Sequence, residues 1–239
     1  MNGTVAPKLA QRAVDRGHEV VAWDRSAVDP NDAAASANFT AAVAPDAIAH
    51  LAFGAESWAA QLAAIARDRS LPFVYTSTTM VFAERPDGPY TIHSPRTATD
   101  DYGHYKIRCE DAIWAAHAGA MIVRLGYQID ADGRGNNMVA HLVEQQERDG
   151  VVRASTGWIP SCAFIDDTVA AMLNLIEEPR VGLHHLDSNA DDAMSYFEIV
   201  TRLAKRLQRR WTIEPSAEPR HDQRLVDSRL VPRLSLRLP

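Results

Sequence analysis

Apolar and polar positions follow two different periods along this chain. From Ala6 to Arg16 the period is helical: Leu9, Ala13 and Val14 share one face, and Lys8, Arg12 and Asp15 fall on the other. Gly17 ends that pattern, and His18–Trp23 follows as a short apolar run that reads as a buried strand, closed by Asp24-Arg25-Ser26. Pro30-Asn31-Asp32 marks a turn and a helix start, predicting a helix over Asp32–Val43. Ala47–Ala52 reads as a second strand, Ser57–Arg67 as a helix and Pro72–Ser77 as a third strand. A polar, proline-bearing loop covers Glu84–Thr99. The long helix Asp101–His117 then leads into the strand Met121–Leu125.

Strands separated by helices of this length need crossover connections, which make a sheet parallel. Such sheets are covered on both faces, so their strands are nearly continuous apolar runs, as they are here through Leu125. The second half is less regular. It offers helices over Asn137–Arg148, Asp166–Glu177 and Ser195–Leu207, and strands over Val151–Arg153 and Leu183–Leu186. The proline- and arginine-rich tail after Trp211 reads as loosely packed. The pattern predicts an α/β chain: a doubly wound parallel sheet over residues 1–130, and a small mixed lobe over residues 131–239 with some elements returning to the core.

Composition narrows this little but excludes much. The chain has 239 residues, 46% hydrophobic and 23% charged, which is ordinary globular usage. No apolar run approaches the ~18 residues of a membrane span, and the first residues have neither the basic start nor the apolar stretch of a signal peptide. A net charge of −6 argues against a nucleic-acid surface. The two cysteines, Cys109 and Cys162, stand in unrelated contexts, which suggests a reducing compartment and predicts a cytoplasmic protein.

The chemistry centres on Tyr102-Gly103-His104-Tyr105-Lys106, at the start of the long helix. Residues four apart share a helix face. An ammonium beside a phenol favours the phenolate and lowers its pKa, which suits Tyr102 to exchange a proton with a carbonyl or alcohol. The plain alternative is a solvent-facing pair. Thr76 to Thr79 place hydroxyls at the C-terminal end of a buried strand, where open parallel sheets bind ligands, although Ser and Thr also cap strand ends. Asp24 ends the second strand, where a carboxylate can accept both ribose hydroxyls of NAD; its alternative is a turn residue. Arg25 instead suits the 2′-phosphate of NADP, and Asp29 is a candidate adenine-side contact. His184-His185 lacks partners at metal-ligand spacing and reads as a packed or surface pair, so no metal is expected. Cys109 reads as helix packing. Arg220, Arg224 and Arg229 are either a solvated run or partners for a diphosphate.

Several segments carry a family likeness in order and spacing: Gly17–Arg25, Pro45–Ala52, Ser77-Thr78 with Val81-Phe82, Pro89-Tyr90, Tyr102-Gly103-x-x-Lys106 with Glu110, Arg124–Tyr127, Asn136–Val139 and Phe164–Asp167. Over nearly its whole length the chain resembles the extended short-chain dehydrogenase/reductases, the NAD-dependent epimerase/dehydratase group. Within that group it is most similar to the dTDP-4-dehydrorhamnose reductase-like proteins. The resemblance implies a Rossmann-like fold and hydride transfer between NAD or NADP and a sugar carbon. It implies Thr78, Tyr102 and Lys106 as the catalytic triad: Tyr102 exchanges the proton, Lys106 lowers its pKa and holds the nicotinamide ribose, and Thr78 orients the substrate oxygen. It adds Leu51 and Ala52 on a cofactor-lining strand, and Thr79 and Asn137 as substrate contacts, Asn137 having a helix cap as its alternative. Dehydratases of the group carry Asp-Glu after the catalytic Thr. Here Thr79-Met80 stand there, which disfavours dehydration. The partners implied are a small-molecule substrate, a nucleotide sugar, and a second copy packed through the long helices, with no nucleic acid and no membrane.

The family's Gly-x-x-Gly-x-x-Gly turn, aligned from Gly17, puts its last position on Ala6 and its middle one on Gly3, so Gly3 is expected to line the cofactor's pyrophosphate. The first glycine falls before Met1, and with it the first strand. Either the natural product begins upstream, or the chain has lost full cofactor binding. The expected function is therefore an NAD(P)-dependent oxidoreductase or epimerase acting on a nucleotide sugar or similar carbonyl compound. The alternatives are a non-catalytic member of the same fold and a reductase of a non-sugar substrate.

Overall fold

The computed structural model describes residues 3–83, 87–133, 135–227 and 229–238; Glu84, at the start of the predicted loop, lies outside them. In chain order the elements are α1 (Val5–Asp15), α2 (Ala33–Val43), β1 (Ile48–His50), α3 (Glu56–Asp68), β2 (Phe73–Thr78), α4 (Asp101–Ala116), β3 (Met121–Leu125), β4 (Tyr127–Ile129), α5 (Met138–Asp149), β5 (Val152–Ser155), β6 (Trp158–Ile159), β7 (Cys162–Phe164), α6 (Ile165–Glu177), β8 (Gly182–Leu186), α7 (Tyr196–Arg206), β9 (Ile213–Ser216) and β10 (His221–Asp222). They form two compact units. The first comprises Met1–Val81, Ala98–Arg124 and Val169–His184, and the second Phe82–Thr97, Leu125–Thr168 and His185–Pro239. The chain thus returns to the first unit after residue 130.

The first unit holds a four-stranded sheet in the order β1-β2-β3-β8. β1 and β2 are parallel, with Ile48 opposite Phe73 and His50 opposite Tyr75. Strand alternation sends Phe73, Tyr75 and Ile122 to one face, where they bury against Trp58, Leu62 and Ala66 of α3 and Tyr105, Cys109 and Ile113 of α4. Local chemistry sets the helix ends. Asp32 caps α2 by accepting from the Ala34 and Ala35 N–H groups, and Asp100 caps α4 by accepting from Gly103 N–H at 2.8 Å. α1 is tied to α6 by Arg16 and His18, both paired with Glu177.

One predicted strand is corrected. His18–Trp23 forms no ladder, and Val20 and Val21 are exposed. A strand needs a neighbour for its backbone N–H and C=O groups, and no strand among the described residues pairs with this segment. Within the segment His18 pairs with Glu177, and the Trp23 ring meets Phe39 and Trp58 edge-on.

The second unit is built round Ile129, Met138, Leu142, Val152, Cys162, Ile199, Leu203, Leu234 and Leu238. The expectation of a loose tail is also corrected. β9 pairs in parallel with β5 and β10 with β6, and Leu225, Leu234 and Leu238 are buried. Asp187 organises the tail: its carboxylate accepts from the N–H groups of Cys162 at 3.0 Å, Asn189 at 2.8 Å and Leu225 at 2.9 Å. Arg224 pairs with Asp222 and Arg229 with Asp191. His184 and His185 each meet a backbone carbonyl, of Arg180 and Val226.

Candidate active site

β2 ends at Thr78, and a tight 3-10 turn over Thr79–Val81 follows. α4 begins close against that turn. At Gly103 a Cβ would run into the Met80 carbonyl oxygen and the Ala98 Cβ, so only glycine lets the first helical turn approach the strand end. This approach brings Thr78, Tyr102 and Lys106 together. The Thr78 hydroxyl accepts from Met80 N–H at 3.2 Å and lies close enough to the Tyr102 phenol to pull its pKa down. Tyr102 is 45% exposed, whereas Lys106 is 5% exposed. Lys106 Nζ lies 5.9 Å from the centre of the Tyr102 ring.

The Lys106 ammonium donates to Tyr75 Oη at 3.0 Å and to the Thr76 carbonyl at 2.8 Å, and lies 4.6 Å from the Tyr75 ring centre. Burial lowers its pKa to about 8, against the pull of Cys109 and Glu110. The phenol of Tyr102 titrates above its ordinary value. Burial is the chief cause, the Thr78 hydroxyl opposes it, and Asp100 and Cys109 add to it. The expected lowering of Tyr102 by Lys106 is therefore not met in this state, because the ammonium is directed at the strand. Thr79 is 6% exposed, and its hydroxyl is buried without a hydrogen-bond partner, a state that calls for a ligand or water.

A second buried cluster lies behind these residues. Glu110 of α4 receives Arg124 of β3 through two bonds, Nε to Oε1 at 2.9 Å and Nη2 to Oε2 at 2.7 Å. The Ser77 hydroxyl donates to the same carboxylate at 2.5 Å. The sequence placed Ser77 among the strand-end hydroxyls and Glu110 and Arg124 in the family segments, but assigned none of them, nor Tyr75, a role in the site. The available signal was strand alternation, which puts Tyr75 and Ser77 on the α4-facing side of β2.

The cofactor-side candidates are placed as follows. Gly3 sits just before α1 with φ of +100°, a conformation suited to glycine, at a helix N-terminus where orphan N–H groups favour an anion. Asp24 accepts from both the backbone N–H and the hydroxyl of Ser26, which holds its carboxyl below the ordinary value; this is its turn role. Arg25 donates to the Phe53 carbonyl and lies 5.2 Å over the Trp58 ring. Asp29 closes a turn by accepting from Asn31. Leu51 and Ala52 are half-buried just beyond β1. There His50 stacks on Tyr75 at 5.6 Å, and burial, then Lys106 and Arg25, drive its pKa down to about 3. In the second unit Asn137 caps α5, its side chain accepting from Ala140 N–H at 3.1 Å. The orphan N–H groups at the start of α1 and the third donor of Lys106, which spends two on the strand, are chemically suited to the phosphate and ribose oxygens of a dinucleotide.

The comparisons agree with this architecture. A dTDP-4-dehydrorhamnose reductase of Mycolicibacterium smegmatis is 29% identical over 224 residues, covering 83% of this chain and 67% of the relative. The crystal structure of the dTDP-4-dehydrorhamnose reductase of Bacillus anthracis, in complex with NADP, superposes with a TM-score of 0.80 at 17% identity, covering 99% of this chain and 94% of that one. The enzyme WbmH of Bordetella bronchiseptica, in complex with NAD+, gives a TM-score of 0.75 at 16% identity, covering 95% of this chain and 86% of that one. These two structures establish the fold as α/β and Rossmann-like. The family model described as the RmlD substrate binding domain matches residues 54–234, well over half of the chain, and the protein belongs to that family.

Proposed function

We propose that the protein is an NAD(P)-dependent oxidoreductase that reduces the carbonyl of a nucleotide-activated sugar, with Thr78, Tyr102 and Lys106 as its catalytic group. The convergence of these three side chains at the end of β2 carries the reading. The reductase relative from M. smegmatis favours reduction over epimerisation. The nicotinamide cofactor, NAD or NADP, supplies the hydride when bound. Gly3, Asp24, Arg25, Asp29, Leu51 and Ala52 would line its adenosine diphosphate half, and Lys106 its nicotinamide ribose. Thr78 donates a hydrogen bond to the substrate oxygen. Thr79, whose hydroxyl is otherwise unsatisfied, contacts the sugar nucleotide. Tyr102 hands its phenolic proton to that oxygen as the carbon is reduced. A phenol is protonated at neutral pH and so carries the proton that the reductive direction consumes.

The test is the loss of reduced-nicotinamide absorbance with a dTDP-4-dehydro-6-deoxy sugar. Tyr102→Phe should lower kcat by roughly 10²–10⁴ with an unchanged melting temperature. Full activity in that variant would end the reading. We further propose a homodimer packed through the long helices, α4 among them, and a cytoplasmic location. Light scattering of the purified chain checks the first, and cell fractionation the second. No described helix is long and apolar enough to cross a membrane.

A further inference from the structure

Tyr75 is buried on β2, three residues before Thr78, and its hydroxyl is the side-chain partner of the Lys106 ammonium. Together with the Thr76 carbonyl it uses two of the three ammonium donors. The ring also lies under the charge, 4.6 Å away, where a π face attracts a cation. The ring stacks as well on His50, itself edge-on to Trp58, and Tyr75 is fully buried. Burial pushes its phenol far up, and it stays neutral, able to accept from the lysine throughout the working pH range. The other titratable groups around the ammonium are Tyr102, Tyr105, Cys109 and Glu110 from α4, and His50 from β1.

We infer that Tyr75 is a positioning residue, whose buried hydroxyl holds the Lys106 ammonium at the strand, sets its protonation and leaves its third donor for the cofactor. This rests on the reading of Lys106 as the ribose-holding lysine. A charge-assisted hydrogen bond favours the charged form. Removing the Tyr75 oxygen should therefore make Lys106 lose its proton at lower pH and hold the ribose less firmly.

The chain has three lysines, Lys8, Lys106 and Lys205, so ¹³Cε-lysine labelling yields a spectrum simple enough to follow Lys106, assigned by Lys106→Met. In the full chain carrying Tyr75→Phe, the Lys106 midpoint should fall by about one pH unit. The Lys8 and Lys205 midpoints should stay in place, and NADH or NADPH affinity by calorimetry should weaken roughly tenfold, the same ~1.4 kcal/mol. A Lys106 midpoint and a cofactor affinity both equal to wild type overturn the inference. So does a midpoint shift shared by all three lysines, which reports a general loosening. The catalytic reading fails separately, if Tyr102→Phe or Lys106→Met keeps wild-type turnover.

Discussion

At the scale of single residues, the site is a place where burial works against charge. Lys106 is folded into the protein with its pKa lowered to about 8 from 10.5, chiefly by burial. The folded state thus disfavours its charged form by about 3 kcal/mol at neutral pH. Replacing it by Met removes that cost but leaves the Thr76 carbonyl and the buried Tyr75 hydroxyl without their donor, a loss of about 1–3 kcal/mol in all. Lys106→Met should accordingly match or slightly exceed wild-type stability in urea while abolishing turnover. The pH dependence has a definite sign. Between about pH 8 and 10.5 the unfolded chain binds the proton that the folded chain has released, so this group makes wild-type stability rise with pH across that window. The rise should be missing in Lys106→Met.

At the scale of elements, the Glu110–Arg124 pair joins α4 to β3, and Ser77 ties β2 to the same carboxylate. Both charges are buried. Breaking such a pair by removing one partner strands the other, at roughly 3–5 kcal/mol. Arg124→Met should therefore lower the melting temperature by about 10 °C. The double variant Glu110→Leu with Arg124→Met should regain most of it, since two apolar side chains carry no desolvation cost. If the single and double variants melt alike, the ion pair is not what binds these elements. The helices and most strands of the first unit were legible from hydrophobic period and capping residues, because those signals are local. The strand over His18–Trp23 was not: its apolar run is genuine, but a strand also depends on a neighbour that the run does not encode.

At the scale of the whole molecule, the tail is held by one buried carboxylate. Burial raises Asp187 to about 7, although three backbone N–H groups and Ser161 pull the other way. Its folded-state pKa lies above its unfolded value, so between about pH 4 and pH 7 the native state binds the extra proton. This group's contribution to stability is full at the low end and is lost as pH rises through 7. The stability difference between wild type and Asp187→Asn, from urea unfolding, should shrink from pH 5 to pH 7.5 and stay constant above that. A constant difference throughout would assign Asp187 an unshifted pKa. Tail docking was not readable from composition, since arginine and proline suggest solvation until Asp191, Asp192 and Asp222 are seen to meet Arg229, Arg233 and Arg224.

The sequence by itself determined the α/β class and the order of helices, which follow from periodicity and from caps such as Asp32 and Asn137, signals carried by neighbouring residues; the Thr78, Tyr102 and Lys106 set came from the family resemblance. Only the tertiary structure decided where the lysine's charge goes. The four-residue spacing put Lys106 beside Tyr102 on the helix, but a long flexible side chain takes the best acceptors within reach. Those acceptors, Tyr75 Oη and the Thr76 carbonyl, come from a strand some thirty residues away in the chain. Spacing along a helix specifies a face; the packing of another element against that face specifies the partner.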